Sequence, residues 1–127
     1  MFGGFLIKNG RLEPVMRVGR LDTARDFIDV RDGVEGMLQL LEKGQPGEPI
    51  NICNQKAHTI QEVLDILLEE SGVEVTVEED PALLRPSDEP LLLGDNSRLQ
   101  ALGWKRQYTF PETLRAVYED WLARTPD

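Results

Sequence analysis

The stretch "RDFIDVRDGVEGMLQLLEKGQPGEPINICNQKAHTIQEVLDILLEESG", residues 25–72, decides the fold. "RDFIDV" has the composition of a short strand leading into a helix. From Val34 the apolar residues Val34, Met37, Leu38 and Leu41 recur at i, i+3, i+4 and i+7, which predicts an amphipathic helix with Asp29 or Asp32 as its cap and Gly44 as its stop. "EPINICN" then sets Ile50 and Ile52 on one face of a strand. Thr59 and Glu62 have capping-box spacing, so a second helix follows through Ile60, Val63, Leu64, Leu67 and Leu68 and ends at Gly72. Strand, helix, strand, helix in that order is the signature of an α/β domain.

The flanks extend the pattern. "PVMRVG", after the turn "KNGR", reads as a short strand, and "VEVTVEED" alternates Val73, Val75 and Val77 with polar residues, as a half-buried strand at or near a sheet edge does. "DNSRLQALG" is a short helix with Asp95 or Ser97 as cap, Leu99 and Leu102 inward and Gly103 as stop. In "TFPE" Thr109 and Glu112 repeat the capping-box spacing, and the last helix buries Leu114, Val117, Tyr118, Trp121 and Leu122. The expectation is one small α/β domain of short strands between capped helices, without an internal boundary or repeat, fraying after Arg124.

At 127 residues the chain can bury roughly two-thirds of its unfolded surface in one core. Its 14 lysines and arginines stand against 23 aspartates and glutamates, and the net charge of -9 argues against a general nucleic-acid or membrane-surface binder. Cys53 is the only cysteine and His58 the only histidine, which excludes an intrachain disulfide, suits a reducing compartment and gives zinc little support. "MFGGFLIKNGR" makes a poor signal peptide, and no stretch approaches the ~18 apolar residues of a membrane span, so a soluble cytoplasmic protein is expected.

Most residues that invite a chemical role have a plainer reading. His58, beside the cap Thr59, reads as a surface loop residue, Cys53 as a small buried hydrophobe, the run at 78–80 as solvated, and Trp104 and Trp121 as core. The arginines are different. Arg85 precedes Pro86 in "LRPSDEP", which pushes it off any helix and onto a loop, and Arg25 opens a strand. A guanidinium presents fixed, forked donors that hold phosphate in bidentate fashion, so two arginines from separate segments can clamp a diphosphate, with Asp88 able to accept from ribose hydroxyls. The competing reading pairs Arg25 with Asp22 or Asp29 and Arg85 with Asp88. The chain has no G-x-G-x-x-G or G-x-x-G-x-x-G loop, and Tyr108 and Tyr118 are followed four positions later by Glu112 and Leu122 rather than lysine. No self-sufficient redox or hydrolytic constellation is present.

From about Glu13 to Trp121, the segments "RDFIDVRD" and "RPSDEPLLLGDNSRL...LGW" followed by "TFPETL" resemble the C-terminal part of extended short-chain dehydrogenases/reductases of the NAD-dependent epimerase/dehydratase family. Within it the likeness is greatest to GDP-mannose 4,6-dehydratase and GDP-4-keto-6-deoxy-mannose reductase. The resemblance implies a nucleotide-diphospho-sugar-binding substrate domain without its Rossmann partner, no cofactor held by this chain, and NAD(P) held by the complete enzyme. It implies that Arg25 and Arg85 contact the diphosphate, that Asp88 lies near the ribose, and that Met16 and Val18 lie on the strand flanking the base. Two departures are present: Arg20 replaces the asparagine of "GNLD", and Asp88 is shorter than the glutamate of many dehydratases, which leans towards the reductase. The chain alone is expected to be inactive and to self-associate through an apolar face, with "MFGGFLI" contributing. The alternative is a non-catalytic binding or assembly module that kept the fold. Dehydratase, reductase and epimerase chemistry are not separable from these residues, nor are base and sugar.

Overall fold

The computed structural model describes residues 10, 12–86 and 89–125. "MFGGFLI", Asp88 and the last two residues lie outside that range. Among the described residues, two small sheets carry the strands. β1 (Val15–Val18) pairs in parallel with β4 (Thr76–Glu79), from Val15 opposite Thr76 to Val18 opposite Glu79. Its side chains alternate: Val15 and Arg17 face out, while Met16 and Val18 are half-buried. β2 (Ala24–Asp26) is the centre of the second sheet, antiparallel to β3 (Ala57–Thr59) and parallel to β5 (Leu91–Leu92).

Among the described residues, four α-helices surround these strands: α1 (Val30–Lys43), α2 (Ile60–Ser71), α3 (Ser97–Ala101) and α4 (Phe110–Arg124). Asp29 caps α1 by accepting from the Arg31 N–H. The capping boxes of Thr59 with Glu62 and Thr109 with Glu112 both form, each satisfying donors that a helix start leaves open. α2 stops at Gly72, whose φ of 61° is the left-handed conformation that glycine adopts without penalty. α3 starts after Asn96, and the Asp95 carboxylate accepts from the Ser97 N–H. α2 and α4 are tied by the ion pair of Arg115 with Glu70 at 2.9 Å.

The core is built from Leu99, Trp104, Phe110, Leu114 and Tyr118. Trp104 donates its indole N–H to the carbonyl of Asp32. Trp121, expected inside, is 39% exposed, because α4 turns that position away from the core that Leu114 and Tyr118 enter.

Two larger departures concern α1 and its sequel. The apolar stripe expected to face the core is outside: Val30 is 76% exposed, Met37 57% and Leu41 83%, with Val34 and Leu38 also exposed. The inner face instead carries Asp32 and Gly36. A Cβ on Gly36 would stand 3.2 Å from Ile52 Cγ2 and 3.5 Å from Leu99 Cδ2, so the missing side chain is what lets α1 lie against them. The segment "EPINICN" is not in a ladder, although its alternation predicts a strand. Conversely β5, at Leu91–Leu92, was not expected from the sequence pattern.

Candidate functional site

β2 places Arg25 between two neighbours, opposite His58 on one side and Leu92 on the other. Arg25 Nη1 donates to the carbonyls of Ala24 at 2.8 Å and Glu89 at 2.7 Å. Neither Asp22 nor Asp29 takes this arginine. Asp22 is held by Arg20 through two hydrogen bonds of 3.0 and 3.1 Å, and Asp29 by Arg31. With Nη1 engaged by two carbonyls, the Arg25 fork is oriented while Nε and Nη2 have no acceptor among the described residues.

The next residue fixes the strand. Asp26 accepts from the N–H groups of Asn54 at 2.8 Å, Gln55 at 2.9 Å and Gly94 at 3.2 Å. Two segments, through three N–H groups, therefore converge on one carboxylate beside Arg25, and Gln55 takes a positive φ of 57° to complete the turn.

Arg85 lies on the connection between the two sheets. The connection leaves the end of β4 beside the end of β1, where the Asp80 N–H donates to the Val18 carbonyl at 2.9 Å. It makes a 3-10 turn at Pro81–Leu83, capped by the Asp80 side chain, and this turn passes so close to Gly19 that a Cβ there would be 3.0 Å from the Leu83 carbonyl oxygen. It arrives on β2, where the Pro90 carbonyl accepts from Ala24 N–H and the Glu89 carbonyl from Arg25. Arg85 is exposed and has no ion-pair or hydrogen-bond partner among the described residues. Asp88 lies outside them, so neither its ribose role nor its pairing with Arg85 is described.

Met16 and Val18 line an apolar groove of about 220 Å³ between β1 and α2, also lined by Ile60, Leu64, Leu68 and Tyr118. Neither Arg25 nor Arg85 lines this groove. The strand pair Met16 and Val18 and the arginine-bearing elements are thus neighbours along the Val18–Asp80 junction rather than walls of one cavity. A groove of this size is small beside ordinary ligand pockets of about 300–1,000 Å³.

His58 is not the loop residue expected. It lies on β3 with its side chain 13% exposed, stacked on Phe110 at 3.8 Å between ring centroids and 7° between planes, with Nδ1 3.5 Å from Glu62. The period-two pattern of a three-residue strand is too short to signal this. Cys53 is half-buried, and burial first, then the nearby Asp26 charge, pushes its thiol pKa up, which makes it a poor nucleophile. Among the described residues no group of three potential metal ligands occurs, and no helix is long and apolar enough to cross a membrane.

These elements, in this order, have the fold of the C-terminal two-fifths of extended short-chain dehydrogenases/reductases. Residues 5–117 match the family model of GDP-mannose 4,6 dehydratase, and the chain belongs to that family. It is 34% identical over 119 residues to GDP-6-deoxy-D-mannose reductase of Pseudomonas aeruginosa, covering 93% of this chain and 39% of that protein. It is 30% identical over 121 residues to GDP-6-deoxy-D-talose 4-dehydrogenase of Aggregatibacter actinomycetemcomitans, covering 94% and 39%. The structure of RMD from Pseudomonas aeruginosa complexed with NADPH superposes with a TM-score of 0.89 at 31% identity, over 98% of this chain and 41% of that one. The chain thus spans about two-fifths of the length of the relatives it matches.

Proposed function

We propose that this chain is the nucleotide-sugar-binding part of a GDP-sugar reductase or dehydratase, and that Arg25 and Arg85 hold the diphosphate of the substrate. The observation that carries the reading is Arg25: its guanidinium is oriented by two carbonyls through Nη1, and its remaining edge is left for an acceptor next to the segment that brings Arg85. A pre-oriented fork loses less freedom on gripping phosphate than a mobile one. Met16 and Val18 supply an apolar wall for the base, and Asp88 is assigned to the ribose. The reductase at 34% identity and the talose dehydrogenase at 30% identity, both named for GDP-sugars, support guanine as the base.

NAD(P) belongs to the portion of the enzyme that this chain does not match. The sequence has neither a glycine-rich dinucleotide loop nor a Tyr-x-x-x-Lys pair, so its residues do not fit a nicotinamide cofactor. The chemical contribution of this chain is to bind and orient the sugar nucleotide, and alone it turns over neither GDP-mannose nor its 4-keto-6-deoxy product. The isolated chain self-associates through its exposed apolar surface. The lone Cys53 suits the cytoplasm.

The test is titration of GDP into the wild type and Arg85→Ala, followed by chemical-shift changes. Half a pocket is expected to bind with a Kd of around 1 mM, about -4 kcal/mol. A charge-assisted hydrogen bond contributes roughly 1.5–3 kcal/mol, so Arg85→Ala should lose most of the response. Equal responses in both proteins, or shifts remote from Arg25 and Arg85, would reject the clamp.

A further inference from the structure

Lys56, Lys105 and Arg106 line one cleft of about 450 Å³, between the loop that enters β3 and the loop that joins α3 to α4. Its volume lies within the ordinary range of ligand pockets, about 300–1,000 Å³. Asn54, Gln55, Asn96, Gln100 and Trp104 complete the lining, and no carboxylate is among them. In a chain with 23 acidic residues and a net charge of -9, such a lining stands out. Arg17, Arg20, Arg31, Arg115 and Arg124 each pair with a carboxylate. None of the three cations of the cleft does so among the described residues.

The floor of the cleft is fixed. Asn96 is 1% exposed; its N–H donates to Gln55 Oε1 at 2.9 Å and its Nδ2 to the Cys53 carbonyl at 2.9 Å, while its Oδ1 accepts from Gln100 Nε2 at 2.6 Å. Trp104 is buried and donates its indole N–H to the Asp32 carbonyl. The rim is fixed in part. Asn54 is held by Asp26 through its N–H and by the Phe27 carbonyl through Nδ2, and its Oδ1 accepts from Arg106 Nη1 at 3.4 Å. Arg106 is thereby oriented with Nε and Nη2 left open. Gln55 holds its positive φ of 57°, a conformation that costs a residue other than glycine and that concentrates at ligand sites. Its Oε1 is taken by Asn96, which leaves Nε2 as a placed donor without an acceptor among the described residues.

The open side-chain groups of Gln55, Lys56, Lys105 and Arg106 are thus all donors, and three of these residues carry positive charge. Like charges gathered on one cleft repel, and a bound anion relieves that repulsion. The adjoining cleft, which shares Lys56 and Arg106, adds His58 but also Glu62 and Asp65, so the positive excess ends there. A long polyanion would run onto such carboxylates, whereas a compact one would not.

The geometry points to a second anion site, in which Lys56, Lys105 and Arg106 take a small molecule bearing two or more phosphate charges against the floor of Asn96 and Trp104. Arg106 offers a planar edge to two oxygens, and the lysines act as point charges beside it. Neither Arg25 nor Arg85 lines this cleft, so the site does not rest on the diphosphate clamp.

The probe is inorganic pyrophosphate, titrated into the 127-residue chain at low ionic strength and followed by chemical shifts, with sodium chloride of matched ionic strength as control. Saturable shifts are expected at the side-chain amides of Gln55 and Gln100 and at the N–H groups of Lys56, Lys105 and Arg106. Lys56→Gln/Lys105→Gln should weaken this response about tenfold or more, through the loss of two charge-assisted contacts. The same variant should keep the wild-type melting temperature in the absence of pyrophosphate, because neither lysine has a partner to lose. Arg25→Lys and Arg85→Ala should leave the cleft response intact. Absence of saturable shifts at these groups, equal responses in the wild type and the double lysine variant, or the same shifts with sodium chloride would overturn the site. Loss of the cleft response in Arg85→Ala would also overturn it and assign the anion to Arg25 and Arg85. A GDP titration that fails while the cleft response persists rejects the clamp and supports this site, so the two proposals fail independently.

Discussion

Gly94 faces Cys53 so closely that a Cβ on the glycine would stand 2.5 Å from the cysteine sulfur and 2.9 Å from its Cβ. The main-chain N–H of Gly94 meanwhile donates to Asp26, the residue after Arg25. The approach of these two segments therefore sets how β5 lies along β2, and with it the position of the Glu89 carbonyl that orients Arg25. Gly94→Ala is expected to destabilise by about 1–3 kcal/mol through overpacking. Thermal unfolding checks this, and Cys53→Ala in the same chain should recover part of the loss. An unchanged melting temperature in Gly94→Ala would show that the contact relaxes freely.

Asp32 makes a second long-range tie. Buried at 2% exposure, its carboxylate accepts from the N–H groups of Gln107 at 3.0 Å and Tyr108 at 3.2 Å, while its carbonyl accepts from Trp104. Truncation to alanine leaves two part-buried donors without acceptors, at about 1–3 kcal/mol each. Asp32→Ala should lose roughly 2–6 kcal/mol by urea unfolding, whereas Asp32→Asn, which keeps one acceptor oxygen, should lose less. Equal losses in the two variants would place the effect in the lost charge and second acceptor oxygen rather than in truncation of the side chain.

Arg25 distinguishes charge from geometry. Lysine in its place keeps the positive charge but loses the fork, so with the Ala24 and Glu89 carbonyls engaged it offers a phosphate at most one N–H rather than a two-pronged edge. GDP affinity in Arg25→Lys should fall about tenfold, equivalent to roughly 1.4 kcal/mol, with the fold intact by circular dichroism. Affinity unchanged from wild type would mean that only net charge matters at this position.

The elements most legible in the sequence were those whose ends satisfy their own hydrogen bonds. Thr59 with Glu62, Thr109 with Glu112, and Gly72 set helix boundaries by local chemistry, and the structure has them where spacing put them. Periodicity gave α1 its extent and an apolar side, but not the direction in which that side points. Val34, Met37 and Leu41 form the stripe expected to face the domain's own core, and only the tertiary fit of Gly36 against Ile52 turns it outward. The same limit applies to Ile50–Ile52, since alternation reports a strand-forming pattern whether or not a partner strand is at hand. At the candidate site, Arg25 was legible as a residue type able to grip phosphate. Its two carbonyl partners were not, because one of them lies 64 positions away. His58 on Phe110 was hidden for a like reason: the stack joins β3 to the first residue of α4, and no short-range pattern records it.

Acid should weaken the fold through Asp29. This buried carboxylate accepts from the Arg31 N–H at 2.9 Å, from Arg31 Nε at 3.0 Å and Nη2 at 2.8 Å, and from Thr113 Oγ1 at 2.8 Å. The Arg31 guanidinium is itself held in place over the Tyr108 ring, 3.5 Å from its centroid. The hydrogen bond from the Arg31 side chain is the main cause that lowers the Asp29 pKa to about 2, against the opposing cost of burial. An unfolded aspartate titrates near ~3.9. Because the folded pKa is the lower one, the stabilisation is present in full above pH ~4 and is lost as pH falls through about 2. Arg31 is half-exposed, so solvent screens the pair, and about 1–2 kcal/mol is expected rather than the full value of the shift. Asp29→Asn keeps an acceptor for the helix cap and removes the titration. Urea unfolding at pH 6 and pH 2.5 should show the wild type more stable than Asp29→Asn by about 1–2 kcal/mol at the higher pH, with most of that difference gone at the lower. Other carboxylates at helix starts, such as Glu62 and Glu112, also have lowered pKa values, chiefly from main-chain hydrogen bonds to their caps, but they titrate alike in both proteins and cancel in the comparison. A difference of the same size at both pH values would mean that the Asp29–Arg31 pair is worth no more ionised than neutral.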